Sequence, residues 1–171
     1  MMDSGKLWAQ NNAKAVFDRH DITMPPVPIE KIAQEYGVTI QYAPFDDALS
    51  GMAFVKDGKS IIGVNSLHHP NRQRFTIAHE LGHHVMHQKL LRNGIHVDKT
   101  VLKRDKVSAE GIDLTEIEAN AFAAEILMPG HWIDSLILGG LDVSDEVRMN
   151  FLAKKFKVST AALNFRILAS A

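Results

Sequence analysis

Two histidines separated by three residues, with a glutamate directly after the first, constrain this chain more than any other feature of its sequence. They are His79, Glu80 and His83. Residues i and i+4 lie on the same face of an α-helix, so a helix here would point both imidazoles at one ion. Glu80 would then be placed to act as general base toward a water molecule at a zinc ion. The pattern therefore predicts a helix that carries part of a zinc site.

A catalytic zinc site needs a third protein ligand, because such sites use three protein ligands and leave the fourth position for water. The chain has no cysteine, so the third ligand must be a histidine or a carboxylate. His87 is near in sequence, but it lies two turns beyond His79, about 12 Å along a helix axis. Sites that use a closely following histidine turn the chain with a glycine, and residues 83–87 contain none. His87 is therefore excluded as the third ligand.

Two glutamates in a second predicted helix are the alternatives for the third ligand. The segment is rich in alanine and is followed by a proline, which predicts a helix that ends there. Glu116 lies on a small, polar face with Asn120, which could accept a hydrogen bond from the outer ring nitrogen of a ligating histidine. Glu118 points away and fits a capping box with Thr115, although a cap at Asp113 would reverse the two roles. Glu116 is favoured over Glu118.

The remaining histidines have no spacing that marks them as ligands. His131 and Tyr42 are candidates for stabilising negative charge on a substrate oxygen, but no pattern supports either. The histidines without any pattern are His68, His69 and His96.

The residues before the histidine pair predict helices and a small sheet. Two helices are expected, at positions 6–20 and 29–36. Three runs of β-forming residues follow, at positions 38–42, 51–55 and 60–64, the last two joined by a hairpin turn. The helix that carries the histidines should run from about residue 70 to about residue 90. The sequence therefore predicts an α+β fold in which a three-stranded sheet packs on the active-site helix.

The rest of the chain predicts a loop and a helical end. Residues 91–114 show no sustained period, so we expect a long loop that either borders a substrate cleft or serves only as a connector. Residues 143–171 predict two helices that resemble a helix-turn-helix, joined at Lys157 and Val158 with Ser159 as N-cap.

Charge and hydropathy exclude several classes of function. The net charge of −1 weighs against strong nucleic-acid binding, which normally needs a basic surface. We therefore expect the C-terminal helices to pack or to dock a substrate rather than to bind DNA. The sequence has neither a signal peptide nor a run of roughly 20 apolar residues, so no membrane association is expected. These features, with the absence of cysteine, fit a cytoplasmic protein.

The order of these motifs resembles that of the ImmA/IrrE zinc metallopeptidases. The resemblance covers most of the chain, and its most specific parts are Arg74–His83 and Glu116–Pro129. The shorter matching runs are Pro26–Ala33, Ser50–Gly51, Ile62–Asn65 and Asn71–Gln73.

The resemblance implies a zincin-like metallopeptidase domain of the gluzincin type over residues 1–140 and a C-terminal helical subdomain, residues 141–171, packed on it. It supports Zn²⁺ as the cofactor and Glu116 as the ligand beside His79 and His83, with Glu80 as the catalytic residue. The implied substrate is an XRE-like helix-turn-helix transcriptional repressor in a stress, mobile-element or toxin–antitoxin-like system. Two alternatives remain: a non-catalytic protein that binds and inactivates a partner repressor, and a DNA-binding factor.

Overall fold

The computed structural model describes residues 4–99 and 109–170, with the backbone alone at 98–99 and 109–113. These residues form eight helices and one four-stranded sheet, which confirms the predicted α+β fold. The helices are α1 Ser4–Phe17, α2 Ile29–Glu35, α3 Pro70–Met86, α4 Gln88–Arg92, α5 Ala109–Leu127, α6 Gly130–Leu138, α7 Glu146–Phe156 and α8 Thr160–Ser170. The strands are β1 Val38–Ala43, β2 Leu49–Lys56, β3 Lys59–Asn65 and β4 His96–Lys99.

The sheet has the order β1-β3-β2-β4. β1 runs parallel to β3, and β2 pairs antiparallel with both β3 and β4. The hairpin turn between β2 and β3 has positive φ at Asp57 (51°) and Gly58 (73°), as a two-residue type I′ turn requires. The three predicted strands and their hairpin are therefore present.

The predicted loop over residues 91–114 was wrong at both ends. Residues 96–99 form β4, and α5 begins at Ala109. β4 has four residues with one aliphatic side chain, Val97, so it carries no alternating pattern and is defined by its pairing with β2. The middle of the predicted loop, residues 100–108, lies outside the described residues.

Helix α3 starts as expected and ends early. Pro70 occupies its first turn, and the His69 ring caps the helix by accepting a hydrogen bond from the Asn71 backbone N–H at 3.1 Å. The helix ends at Met86 instead of near residue 90, because the backbone of His87 leaves the helical conformation (φ −119°, ψ 36°). The short helix α4 then begins at Gln88.

Two glycines let the neighbours of α3 approach it closely. A Cβ atom added to Gly51 on β2 would lie 2.4 Å from Thr76 Cγ2 and 2.8 Å from the Gly63 carbonyl oxygen. A Cβ added to Gly82 on α3 would lie 3.1 Å from the ring of Phe122 on α5. Strand β2 and helix α5 therefore both pack closely against α3, near Thr76 and Gly82 respectively.

We expect Gly51→Ala to lower the free energy of unfolding by about 1–3 kcal/mol, because the added methyl overlaps both a side chain and a backbone oxygen. Chemical denaturation measures the change. Gly94→Ala is the control, since no atom lies within 4 Å of a Cβ added there. Equal stability of the two variants would show that β2 does not need this close approach.

The two predicted C-terminal helices are α7 and α8. They join at Lys157, whose φ is 54°, and Ser159 caps α8 by accepting a hydrogen bond from the Ala162 N–H at 3.1 Å. Arg166 on α8 forms an ion pair with Glu125 on α5, which ties this end to the rest of the chain. The boundary between residues 140 and 141 remains a prediction.

The core that supports the site is formed by α3, α5 and the sheet, and it continues into the remaining helices except α4. Its fully buried side chains include Ile62, Ile77, Leu81, Phe122 and Ile126. Among the described residues, no helix is both long and apolar enough to cross a membrane.

Candidate metal centre

His79 and His83 lie one turn apart on α3 and point their Nε2 atoms at the same place. Their relative exposure is 2% and 0%, and the two Nε2 atoms are 3.2 Å apart. The helix forms here because its apolar residues Ile77, Ala78 and Leu81 are buried in the core. The predicted placement of the two imidazoles on one helix face is therefore what the structure contains.

The outer ring nitrogens of both histidines are hydrogen-bonded. His79 Nδ1 donates to Asn120 Oδ1 on α5 at 3.0 Å. His83 Nδ1 donates to His87 Nδ1 at 3.0 Å, and His87 Nε2 donates to Glu118 Oε2 at 2.8 Å. With the protons on Nδ1 held by these partners, both Nε2 lone pairs are available to an ion in the space between them. A proton or a metal ion there offsets the repulsion between the two lone pairs.

Glu116 is the glutamate that α5 brings to the histidines. Its Oε2 lies 3.3 Å from His79 Nε2, and its Oε1 lies 3.4 Å from His83 Nε2. Glu118 instead contacts His87. The expected capping box between Thr115 and Glu118 was wrong, because α5 begins at Ala109 and Thr115 is inside the helix. The structure thus brings Glu116, and not Glu118, to the Nε2 atoms.

His96 on β4 joins this group, and sequence reasoning missed it. Its Nε2 lies 3.1 Å from Glu116 Oε1, and its ring centroid lies 3.9 Å from that of His83. No local pattern marks His96, because its position depends on the pairing of β4 with β2. Only a prediction of that pairing from the sequence would have found it.

The four side chains fit a tetrahedral zinc ion. One donor atom from each of His79, His83, His96 and Glu116 lies within 4.8 Å of the other three. Ligand atoms at zinc bond lengths stand about 3.3 Å apart around a tetrahedral ion, and four contacts within this group, two of them to Glu116 Oε1 and one to Glu116 Oε2, span 3.1–3.4 Å. His96 Nε2 and Glu116 Oε1 are both buried and lie 3.1 Å apart. The donor set is the imidazole and carboxylate chemistry that zinc prefers.

The environment sets the protonation states that metal binding needs. Burial lowers the pKa of His83 to about 3, so its imidazole is neutral near pH 7. Burial alone would raise the pKa of Glu116, but its contacts with His79, His83 and His96 hold that pKa well below the usual range. The side chains of His83 and Glu116 are therefore in the protonation states that could bind a metal ion.

Glu80 follows His79 on α3 and is fully buried. A Cβ atom added to Gly51 would lie 3.7 Å from Glu80 Cγ, so this side chain lies beneath β2. Glu80 thus sits between the strand and the helix that carries the two histidines.

The two candidates for stabilising a substrate oxygen lie in other parts of the fold. Tyr42 is on β1, at the opposite edge of the sheet from β4. The His131 ring packs against Phe17 and Trp132, with centroid distances of 5.6 and 5.5 Å.

Comparison with known proteins identifies related sequences and folds. Residues 33–168 match the model of peptidase M78, described as the IrrE N-terminal-like domain. A search of the curated proteins finds no match to the sequence. A Mycobacterium tuberculosis transcriptional regulator has a similar structure, with a TM-score of 0.58 and 16% identity over 92% of this chain and 45% of that chain. This likeness shows a shared fold, and the chain spans less than half the length of that protein.

Proposed function

The chain belongs to the peptidase M78 family of IrrE N-terminal-like domains, and from this premise we propose that it is a zinc-dependent endopeptidase. Membership in the family indicates a metallopeptidase or a regulatory function. The observation that carries the proposal is the set of donor atoms on α3 and α5, separated by the distances of a tetrahedral zinc site.

The proposed zinc ligands are His79, His83 and Glu116. Asn120 would position His79 by holding its Nδ1 proton, and His87 would do the same for His83. Zinc bound there supplies a Lewis acid that lowers the pKa of water toward about 7 and polarises a peptide carbonyl. Because the ligands come from two helices packed together around Gly82, the fold holds them in place before the metal binds.

Glu80 is the proposed general base. Its carboxylate accepts a proton from the attacking water as the water oxygen bonds to the scissile carbonyl carbon. The same carboxyl group then gives that proton to the amine nitrogen as the C–N bond breaks. Burial beneath β2 keeps bulk water away from this proton, which favours its transfer to the leaving group.

We propose an XRE-like helix-turn-helix repressor as the substrate. This choice depends on the resemblance to the ImmA/IrrE metallopeptidases, since no feature of the described residues selects a peptide sequence. Cleavage of a repressor would make the protein a regulator of transcription that does not itself bind DNA.

A protein that binds and inactivates a repressor without cutting it is the second candidate. The observation that favours it is His96, whose Nε2 lies within 4.8 Å of the donor atoms of the three proposed ligands. A site closed by four protein ligands is typical of structural zinc.

Incubation with any XRE-like repressor that is encoded beside its gene tests the proposed function. The zinc-loaded protein should produce two fragments from one cut, which mass spectrometry identifies. A stable complex without fragments, detected by size-exclusion chromatography, would support the non-catalytic candidate instead. The absence of both cleavage and binding would reject this repressor as the partner.

A further inference from the structure

Strand β4 covers the edge of β2 that faces the metal centre. β2 lies directly on α3, where Ser50 Oγ accepts a hydrogen bond from Arg72 at 2.9 Å and Gly51 approaches Thr76. β4 is its outer neighbour, and without β4 the strand β2 would end the sheet. An exposed strand edge beside a site is a place where an extended peptide can pair through its main chain. β4 therefore occupies the position that a bound peptide would take.

The first residue of β4 places its side chain in the metal centre. His96 pairs with Ala53 on β2, and its imidazole is 14% exposed. Its Nε2 is a buried atom that lies 3.1 Å from Glu116 Oε1. This nitrogen converges with donor atoms of His79, His83 and Glu116, all within 4.8 Å of one another, and three imidazoles with one carboxylate are a donor set that zinc binds.

We propose that His96 is a fourth protein ligand of the metal, and that β4 thereby keeps a peptide substrate out of the site. The assignment of His96 as a ligand requires only that the site binds a metal ion. The second part, in which β4 blocks a peptide substrate, rests on the proposed peptidase function. Four protein ligands complete a tetrahedral zinc, whereas catalysis needs one position that protein does not fill. Removal of β4 from β2 would open both the strand edge and that position.

The contacts of β4 suit a segment that leaves readily. Its ladder with β2 covers four residue pairs and contains an irregularity between Leu49 and Gly51. The residue before it, Ile95, is 62% exposed. A short, irregular edge strand contributes little pairing energy, so a longer substrate strand can displace it.

X-ray absorption at the zinc edge tests the ligand assignment without any substrate. The wild-type protein should show three imidazole ligands, and His96→Ala should show two, with zinc binding at least about tenfold weaker. Ile95→Ala, one residue away in the same segment, should match wild type. Two imidazoles in wild type, or identical spectra for wild type and His96→Ala, would overturn the assignment.

Acetohydroxamate, a small zinc-binding probe, tests access to the metal. If the closed form holds 90–99% of the protein, His96→Ala should bind the probe about 10- to 100-fold more tightly than wild type. Equal affinity would overturn the inhibition by β4. Neither measurement uses the repressor, so a failure of the proposed peptidase function would appear only in the cleavage assay.

Discussion

Replacement of Glu80 by glutamine is expected to abolish peptide hydrolysis while zinc stays bound. Glutamine has nearly the same shape and fits the fully buried position, but it cannot accept the proton of the attacking water. General acid–base groups contribute about 10²- to 10⁴-fold to rate, and we expect a loss of at least that size. The rate of repressor cleavage measures the loss.

Zinc content and thermal unfolding of Glu80→Gln are the controls for this comparison. The zinc content should equal that of wild type, because Glu80 is not a proposed ligand, and a single cooperative thermal transition should show that the variant is folded. Cleavage at the wild-type rate by a correctly folded, zinc-containing Glu80→Gln protein would reject Glu80 as the base. A variant that neither cleaves nor holds zinc would instead show that Glu80 supports the metal.

Replacement of Glu116 by glutamine is expected to weaken zinc binding by at least about a hundredfold. This exceeds the usual effect of removing a residue that only hydrogen-bonds to a zinc ligand. The neutral amide removes the negative charge of the proposed ligand set. Competition with a zinc-binding dye measures the dissociation constant. Cleavage should be lost at zinc concentrations that saturate wild type.

Glu118→Gln is the matched control for Glu116→Gln. It makes the same change two residues along the same helix, at a side chain that contacts His87 and reaches His83 only through it. We expect Glu118→Gln to weaken zinc binding by no more than about tenfold. This is the low end of the range for residues that hydrogen-bond to a metal ligand without binding the metal themselves. The reverse order of effects would assign the ligand to Glu118.

The sequence predicts the helical part of the site because its geometry is local. Spacing places His79 and His83 on one face, and the small residues around Glu116 and Asn120 allow α5 to approach that face. The structure brings all four together, with Asn120 at 3.0 Å from His79. Whether they serve as ligands and partner stays a prediction.

The part of the site that depends on long-range pairing could not be predicted. His96 reaches the metal centre only because β4 pairs with β2, more than 40 residues earlier in the chain. His87 was excluded as a ligand by its distance along an unbroken helix, and the break after Met86 turns its ring between His83 and Glu118. The Trp8 ring on α1 packs beside it at a centroid distance of 6.1 Å. The positions of His96 and His87 both depend on contacts between separate helices and strands, so no local sequence pattern predicts them.

Removal and return of zinc test most directly the claim that this chain is a zinc-dependent endopeptidase. Repressor cleavage would be measured with the protein as purified, after chelation and dialysis, and after addition of one equivalent of zinc. We expect cleavage in the first sample, none in the second, and full recovery in the third. Undiminished cleavage by the zinc-free protein would contradict the account.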